Sequence, residues 1–171
     1  MPFQPYIEAR FAEPFVDNLE RIIRRDYPGE DGAGVWAGAA ADFEQYVNDD
    51  AIGTAWPLCR VVIRNSDIVW KDTYLEETHA VAIEVEVTGE REGLKGMVQR
   101  RLRAVDMILR TVWERDKADF MQGYVGGTFA LLEFNISRHE YASGRRPASL
   151  YWQAGGFLVT MKMWEAITNA G

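Results

Sequence analysis

The clearest periodic pattern of the chain lies between residues 79 and 115, where the spacing of the apolar positions changes once. From Val81 to Val87 every second residue is β-branched, with alanine and glutamate between them, which predicts a half-buried strand. The polar segment 88–93 breaks this alternation. From Leu94 onwards the apolar residues recur at helical spacing, which predicts one long helix that ends near residue 115.

Weaker patterns predict the elements that precede this stretch. An amphipathic segment with a proline in its first turn predicts a first helix over 14–27. Residues 39–47 predict a short helix, and the alternation over 58–64 predicts a strand. The Asn-Ser-Asp sequence at 65–67 is typical of a turn, so 68–74 are expected to form the second strand of a hairpin.

The remaining segments predict two further strands after the long helix. Residues 116–127 are polar and rich in glycine, which indicates a connection, and 128–140 alternate as a strand. Residues 141–149 are expected to form a polar loop. The last strand is predicted over 150–165, with a kink or bulge at its paired glycines, Gly155 and Gly156.

This order of elements predicts an α+β fold, with the long helix and the N-terminal helix packed on one face of a mainly antiparallel or mixed sheet. We expect one domain over 1–171, in which the first helix at 14–27 and a loop-rich insertion at 29–56 precede a sheet and helix core at 57–165. The long strands are expected to project past the core and meet a neighbouring molecule.

Composition narrows the class of protein further. The net charge is −7, which disfavours nonspecific binding to nucleic acid. The single cysteine, Cys59, excludes a disulfide within the chain. No segment approaches the ~18 apolar residues of a membrane span, and the first residues lack the pattern of a secretory signal. We therefore expect a soluble cytoplasmic or virion-type protein.

The sequence offers few candidates for chemistry, and we predict no catalytic residue, no metal and no cofactor. The two histidines, His79 and His139, lack metal-ligand spacing and are expected to be partly exposed. Cys59 lies in an apolar strand and is expected to be a small buried hydrophobe. The abundant carboxylates, Glu84 and Glu86 among them, are most simply explained as a solvated acidic face of the sheet.

Arg101 departs from the pattern of its helix, because it falls in the middle of the apolar stripe. An arginine in that position needs a carboxylate partner or a route to water. Two interpretations follow: a side chain that reaches solvent at a loose edge, or an ion pair within the chain or across a subunit boundary.

The chain resembles a known family in the segments PLCRVVIR at 57–64, HAVAIEVEVTGE at 79–90 and RLRAVDMIL at 101–109, and in the terminal strand GFLVTMKMW at 156–164. This arrangement is similar to the tail terminator proteins (tail completion or neck proteins) of long-tailed bacteriophages. The resemblance runs from about Phe11 to Trp164, and 39–50 look like additional material in a loop.

The resemblance implies a structural virion protein without enzymatic activity, located in the tail or neck and in the host cytoplasm during assembly. Proteins of this family form a homohexameric ring on the end of the tail tube, stop its polymerisation and present a surface to the head–tail connector protein. DNA passes through such a ring without specific binding. The implied partners are therefore further copies of the chain, the tail tube protein and the connector.

Two groups of residues are candidates for these contacts. Glu84, Glu86 and Arg101 are predicted at a subunit interface or at the lumen, where acidic side chains would repel phosphates. A loop over 67–78 is predicted to contact the tube or the connector. Its candidate residues are Asp67, Trp70, Asp72, Tyr74, Glu76 and Glu77.

Two alternatives stay open at this point. The first is another neck component, such as a head–tail adaptor or a subunit like those of the tail tube. The second is a small α+β enzyme or ligand-binding domain that uses a carboxylate pair near Glu84 and Glu86. A deep pocket with converging polar groups would favour the second alternative.

Overall fold

The computed structural model describes residues 12–27, 44–46, 58–89, 92–124, 129–145 and 151–166. The helices are α1 (Glu13–Asp26), α2 (Leu94–Arg115) and a 3-10 helix (Lys117–Met121). The strands are β1 (Glu44–Tyr46), β2 (Leu58–Trp70), β3 (Tyr74–Gly89), β4 (Phe129–Ile136), β5 (Glu140–Arg145) and β6 (Tyr151–Ala166).

These strands form one sheet in the order β1-β2-β3-β6-β4, and β5 follows β4 along the same edge of β6. Every pair is antiparallel except β1 with β2. Ser137 joins β4 to β5 along the edge: its backbone N–H donates to the Leu158 carbonyl at 2.9 Å, and its Oγ accepts from the Leu158 N–H at 2.8 Å. The predicted α+β class is confirmed.

Both helices pack on one face of the sheet, as the sequence predicts. The alternation of β3 explains this arrangement, because Val81, Ile83 and Val85 are fully buried towards the helices. The residues between them, such as Ala82 and Glu84, lie on the opposite face, which carries no helix of the described residues and which we call the helix-free face. Burial of that many β-branched side chains on one side is the main driving force for docking the helices.

Helix α2 approaches the sheet closely at Gly155 of β6. A Cβ atom at Gly155 would lie 2.7 Å from Cδ1 of Leu102 and 2.9 Å from Cγ1 of Val98, both on α2. No real Cβ contact is that short, so the glycine is what permits this packing distance. The predicted bulge at Gly155 and Gly156 is wrong, since β3 and β6 pair without a register shift through both positions.

The 3-10 helix is joined to α1 by a buried polar residue. Nδ2 of Asn18 donates to the carbonyls of Phe120 and Gln122, each at 2.8 Å. The bond to Phe120 is buried and satisfies a backbone acceptor away from water, and the bond to Gln122 is partly buried. They hold the connection after α2 against the first helix.

Three further predictions are wrong in local structure. Residues 44–46 form strand β1 and not part of a helix, while the rest of the predicted helix at 39–47 lies outside the described residues. The predicted turn at 65–67 is part of β2, which pairs with β3 as far as Trp70, after a register shift between Ile63 and Asn65. The predicted loop at 141–149 begins as strand β5.

Candidate functional site

The helix-free face carries four charged side chains that pair within the chain. Nη2 of Arg60 lies 3.1 Å from Oε2 of Glu86, and Nε of Arg60 lies 3.7 Å from Oε2 of Glu84. Arg64 pairs with the same Glu84 through Nη2. Glu84 and Glu86 thus lie on the helix-free face as alternation requires, but two arginines balance their charge. The prediction of a solvated acidic face is wrong for Glu86, which is only 8% exposed, and the paired arginines neutralise the face locally.

A groove of about 840 Å³ runs across this face, and these four charged side chains line part of it. Small residues of the two central strands form part of its lining, namely Ala82, Ala154 and Gly156. Trp152 and Leu158 form part of its apolar lining. Gly156 is required by the shape of the sheet, since a Cβ there would lie 2.7 Å from the Ile83 carbonyl oxygen.

The predicted contact loop at 67–78 is instead the end of the β2–β3 hairpin, and its turn lies at 71–73. The hairpin end exposes a large apolar surface: Trp70 is 72% exposed and Val69 is 41% exposed. Asp67 and Asp72 are exposed on the same end. Exposed aromatic residues that stand together with charged ones are common in protein interfaces.

Two other candidate residues of the hairpin end have partners on β6. The rings of Tyr74 and Trp164 meet edge to face, with centroids 6.2 Å apart. Oε1 of Glu76 lies 3.1 Å from Nζ of Lys162, which raises the pKa of the Lys162 ammonium. Both residues are partly exposed, so they support the hairpin end and also border its surface.

Glu77 is not part of this surface, because its side chain is completely buried on the helix side of β3. Its Oε2 lies 3.4 Å from Nε2 of His79, and Nδ1 of His79 lies 2.9 Å from Oγ of Ser66. The prediction that His79 is partly exposed is wrong. Sequence reasoning missed this cluster, although the parity of Glu77 and His79 with Val81 was a usable signal.

Arg101 is also buried, with only 1% of its surface exposed. Its Nη1 donates to the carbonyl of Met97 at 3.2 Å, one turn earlier in α2. The interpretation that its guanidinium reaches solvent at a loose edge is therefore wrong. A role at a subunit boundary stays a prediction. Arg101 belongs to α2, which packs on the face of the sheet opposite to the one that carries Glu84 and Glu86.

The described residues contain no group of three or more histidine, cysteine, aspartate and glutamate side chains that could hold a metal ion. Cys59 is buried as expected, and this burial raises the pKa of its thiol well above the usual value. None of the described helices is long and apolar enough to cross a membrane.

Comparisons with known proteins add no family to this description. No protein-family model matches the chain, and no curated protein matches it significantly.

Proposed function

We propose that the chain is a structural subunit of a phage tail, a tail terminator that closes into a ring on the end of the tail tube. In this role the ring stops polymerisation of the tube and joins the tail to the head connector. The resemblance of four sequence segments indicates this class. Of the structural observations, the exposed end of the β2–β3 hairpin carries the proposal.

The hairpin end has the properties of a contact surface for another protein. β3 has 16 residues, about 53 Å at about 3.3 Å per residue, which is long for a chain of this size. β3 forms a hairpin with β2, and the last residue of β2 is Trp70, which is 72% exposed. Exposing an aromatic side chain has a cost in solubility that a partner surface would remove. We assign this end to the tail tube or the connector.

The helix-free face is the second surface that the proposal uses. A surface that DNA passes must not bind phosphates strongly. Arg60 and Arg64 are held by Glu84 and Glu86, so their charge is compensated before any phosphate arrives. Compensation of the arginine charge, and not repulsion by unpaired carboxylates, is thus the reason why this face would not bind DNA. A position of the helix-free face at the lumen of the ring is part of the proposal.

A ligand-binding domain is the second candidate function, and the groove of about 840 Å³ is the observation that favours it. The carboxylates in the groove are paired with arginines, which is a poor arrangement for a general base. A screen of anionic and zwitterionic metabolites by thermal shift tests this candidate. A saturable rise in Tm that is lost in Arg60→Ala would favour it over the ring.

The experiment for the ring is light scattering at several concentrations, followed by negative-stain images with and without tail tube protein. Six copies of the 19.5 kDa chain would give about 117 kDa. A ring with a central hole that caps tubes and limits their length is the expected result. A protein that stays monomeric and leaves the tube length unchanged would contradict the proposal.

A further inference from the structure

The two outer edges of the sheet have opposite strand directions. β2 is antiparallel to β3, β3 to β6, and β6 to β4 and β5. β2 therefore runs opposite to the β4–β5 edge on the far side. A second copy that keeps the same orientation would place its β2 next to β4–β5 as an antiparallel neighbour, which is the more stable pairing.

Both edges are open in the described part of the chain. β1 pairs only with residues 60–62 of β2, so no described strand covers the outer side of β2 from 63 to 70. Of the described strands, only β6 pairs with the β4–β5 edge, on its inner side. Open edges of this length expose backbone donors and acceptors and attract other strands unless a neighbour covers them.

The exposed apolar side chains concentrate on these same edges. Among the described residues, six large hydrophobic side chains are exposed, and four of them lie on the two outer edges. Val69 and Trp70 belong to β2, and Leu132 and Tyr141 belong to β4–β5. This distribution favours burial of both edges in a contact between proteins.

Charge selects a register for such a contact. Across the sheet, Asp67 pairs with Thr78, Thr78 with Lys162, and Lys162 with Glu133. If two copies paired without a shift, Asp67 of one copy would therefore lie opposite Glu133 of the other, and two carboxylates would meet. A shift of four residues instead places Asp67 opposite Ser137, next to the exposed Arg138. Such a stagger between neighbours is also what a closed ring of tilted strands needs.

We propose that residues 63–69 of β2 pair with the β4–β5 edge of a second copy, head to tail, with Asp67 beside Arg138 of that copy; Trp70, the last residue of β2, stays available for the tube or the connector. The proposal rests on the ring of the proposed function and names the surfaces that close it. A heterologous contact of this type generates a ring when its rotation closes. A contact of one strand pair is small, so each interface is weak and assembly depends on concentration.

Cysteine trapping tests the register directly. In this register Val69 lies opposite Asn135, and both lie on the helix-free side of exposed edges. Mild oxidation of a Val69→Cys, Asn135→Cys variant at high concentration is expected to give a ladder of linked chains. The control pairs Val69→Cys with Met107→Cys, which is 64% exposed on α2, away from both edges. Equal ladders in the two variants would overturn the proposal.

Charge exchange provides a second readout in the same background. Asp67→Arg or Arg138→Asp alone should lower the yield of the ladder about fivefold, and the two together should restore it. Because the native Cys59 is buried, Val69→Cys alone adds the one accessible thiol among the described residues and is expected to form only dimers. If it forms them as readily as the double variant forms its ladder, the β2 edges pair with each other by two-fold symmetry, which contradicts the head-to-tail contact.

These outcomes separate the edge contact from the tail terminator function. A ring that caps tubes but gives no specific ladder would remove the edge contact and leave the proposed function. A specific ladder from a protein that never caps tubes would support the edge contact and contradict the proposed function.

Discussion

Arg25 of α1 donates from Nη1 to Oδ2 of Asp119 in the 3-10 helix at 2.8 Å, across 94 positions of the sequence. Arg21 pairs with the other oxygen of Asp119, also at 2.8 Å. Burial alone would raise the pKa of the Asp119 carboxyl, but the hydrogen bonds and charges of the two arginines outweigh it and lower the pKa. The carboxylate thus connects the first helix to the segment after α2.

Asp119→Asn should therefore destabilise the fold by about 1–2 kcal/mol, since it weakens two charge-assisted bonds to arginines that stay partly solvated. Because the folded pKa is lowered, this contribution is present above the unfolded pKa and is lost as the pH falls through the folded value. Urea unfolding at pH 7 and at about pH 3 measures both effects. The difference from the native chain should shrink in acid.

The matched control for Asp119 is Glu140→Gln. Glu140 pairs with Arg138 at 3.9 Å, with side chains 78% and 89% exposed. Such an exposed pair contributes at most about 0.5 kcal/mol, so this variant should unfold like the native chain. Equal losses in the two variants would contradict the role given to Asp119.

Glu20 on α1 gives the opposite pH dependence. Burial is the main reason why the pKa of Glu20 is raised from 4.5 to about 7. Folding therefore favours the protonated carboxyl, and stability should fall as the pH rises from about 4.5 to about 7. Glu20→Gln should remove this fall and stabilise the chain at pH 8 by about 1–2 kcal/mol, allowing for partial solvation of the carboxylate.

Thermal unfolding between pH 5 and pH 8 measures the effect of Glu20→Gln. Glu114→Gln, at an exposed position of α2, is the control and should leave the pH profile unchanged. A Glu20→Gln profile parallel to that of the native chain would mean that the carboxylate is already ionised in the folded protein at pH 5.

The sequence predicts the centre of this fold well because its alternation coincides with burial on one face. The strand from Val81 to Val87 has one apolar face, and so does the helix that begins at Leu94. Each can bury that face in only one orientation. Residues 65–67 are different: their local turn chemistry is overcome by pairing with 78–80, which a local pattern does not contain. The exposed strand β5 is polar because it lies at an edge, so its composition resembles a loop.

The candidate site is only partly predictable for a related reason. The alternation places Glu84 and Glu86 on the helix-free face, but their pairing with Arg60 depends on the register of β2 against β3. Glu77 has the same charge as these residues and the opposite parity, and it is buried. Composition alone treats all three as solvated carboxylates, whereas Glu86 is only 8% exposed and Glu77 is completely buried. The phase of the alternation tells which face each side chain occupies but does not tell how far it is exposed.

Gly155 should not tolerate a side chain. Gly155→Ala would place its Cβ within 3 Å of Leu102 and Val98, so we expect a loss of about 1–3 kcal/mol from overpacking. Gly96→Ala in α2 is the matched control: its Cβ would meet the end of the long Arg100 side chain at 3.4 Å, and the change should stabilise the helix by about 0.5–1 kcal/mol. Urea unfolding of both variants should show opposite signs, and a stable Gly155→Ala variant would contradict the close packing of α2.

Arg101→Ala should cost more than about 2 kcal/mol, because it leaves a cavity where a fully buried side chain packs. Arg103→Ala, at an exposed position of the same helix, is the control and should change stability little. The measurement combines urea unfolding with the oligomer mass by light scattering. A loss of mass without a loss of stability would assign Arg101 to the subunit boundary, and no change in either quantity would leave it without a structural role.

Trp70 tests the assignment of the hairpin end. Because its side chain is 72% exposed, Trp70→Ser should change the free energy of unfolding by less than about 0.5 kcal/mol. Binding to the end of the tail tube should weaken about tenfold or more, as expected for an aromatic residue at the centre of an interface.

Met107→Ser is the control for Trp70, because Met107 is 64% exposed on α2, away from the hairpin. Capping of tubes, counted in negative-stain images over a range of protein concentrations, measures both variants. If the two variants cap tubes equally well, the hairpin end is not the tube contact. The connector side of the ring would then be the place to test Trp70, with the same pair of variants.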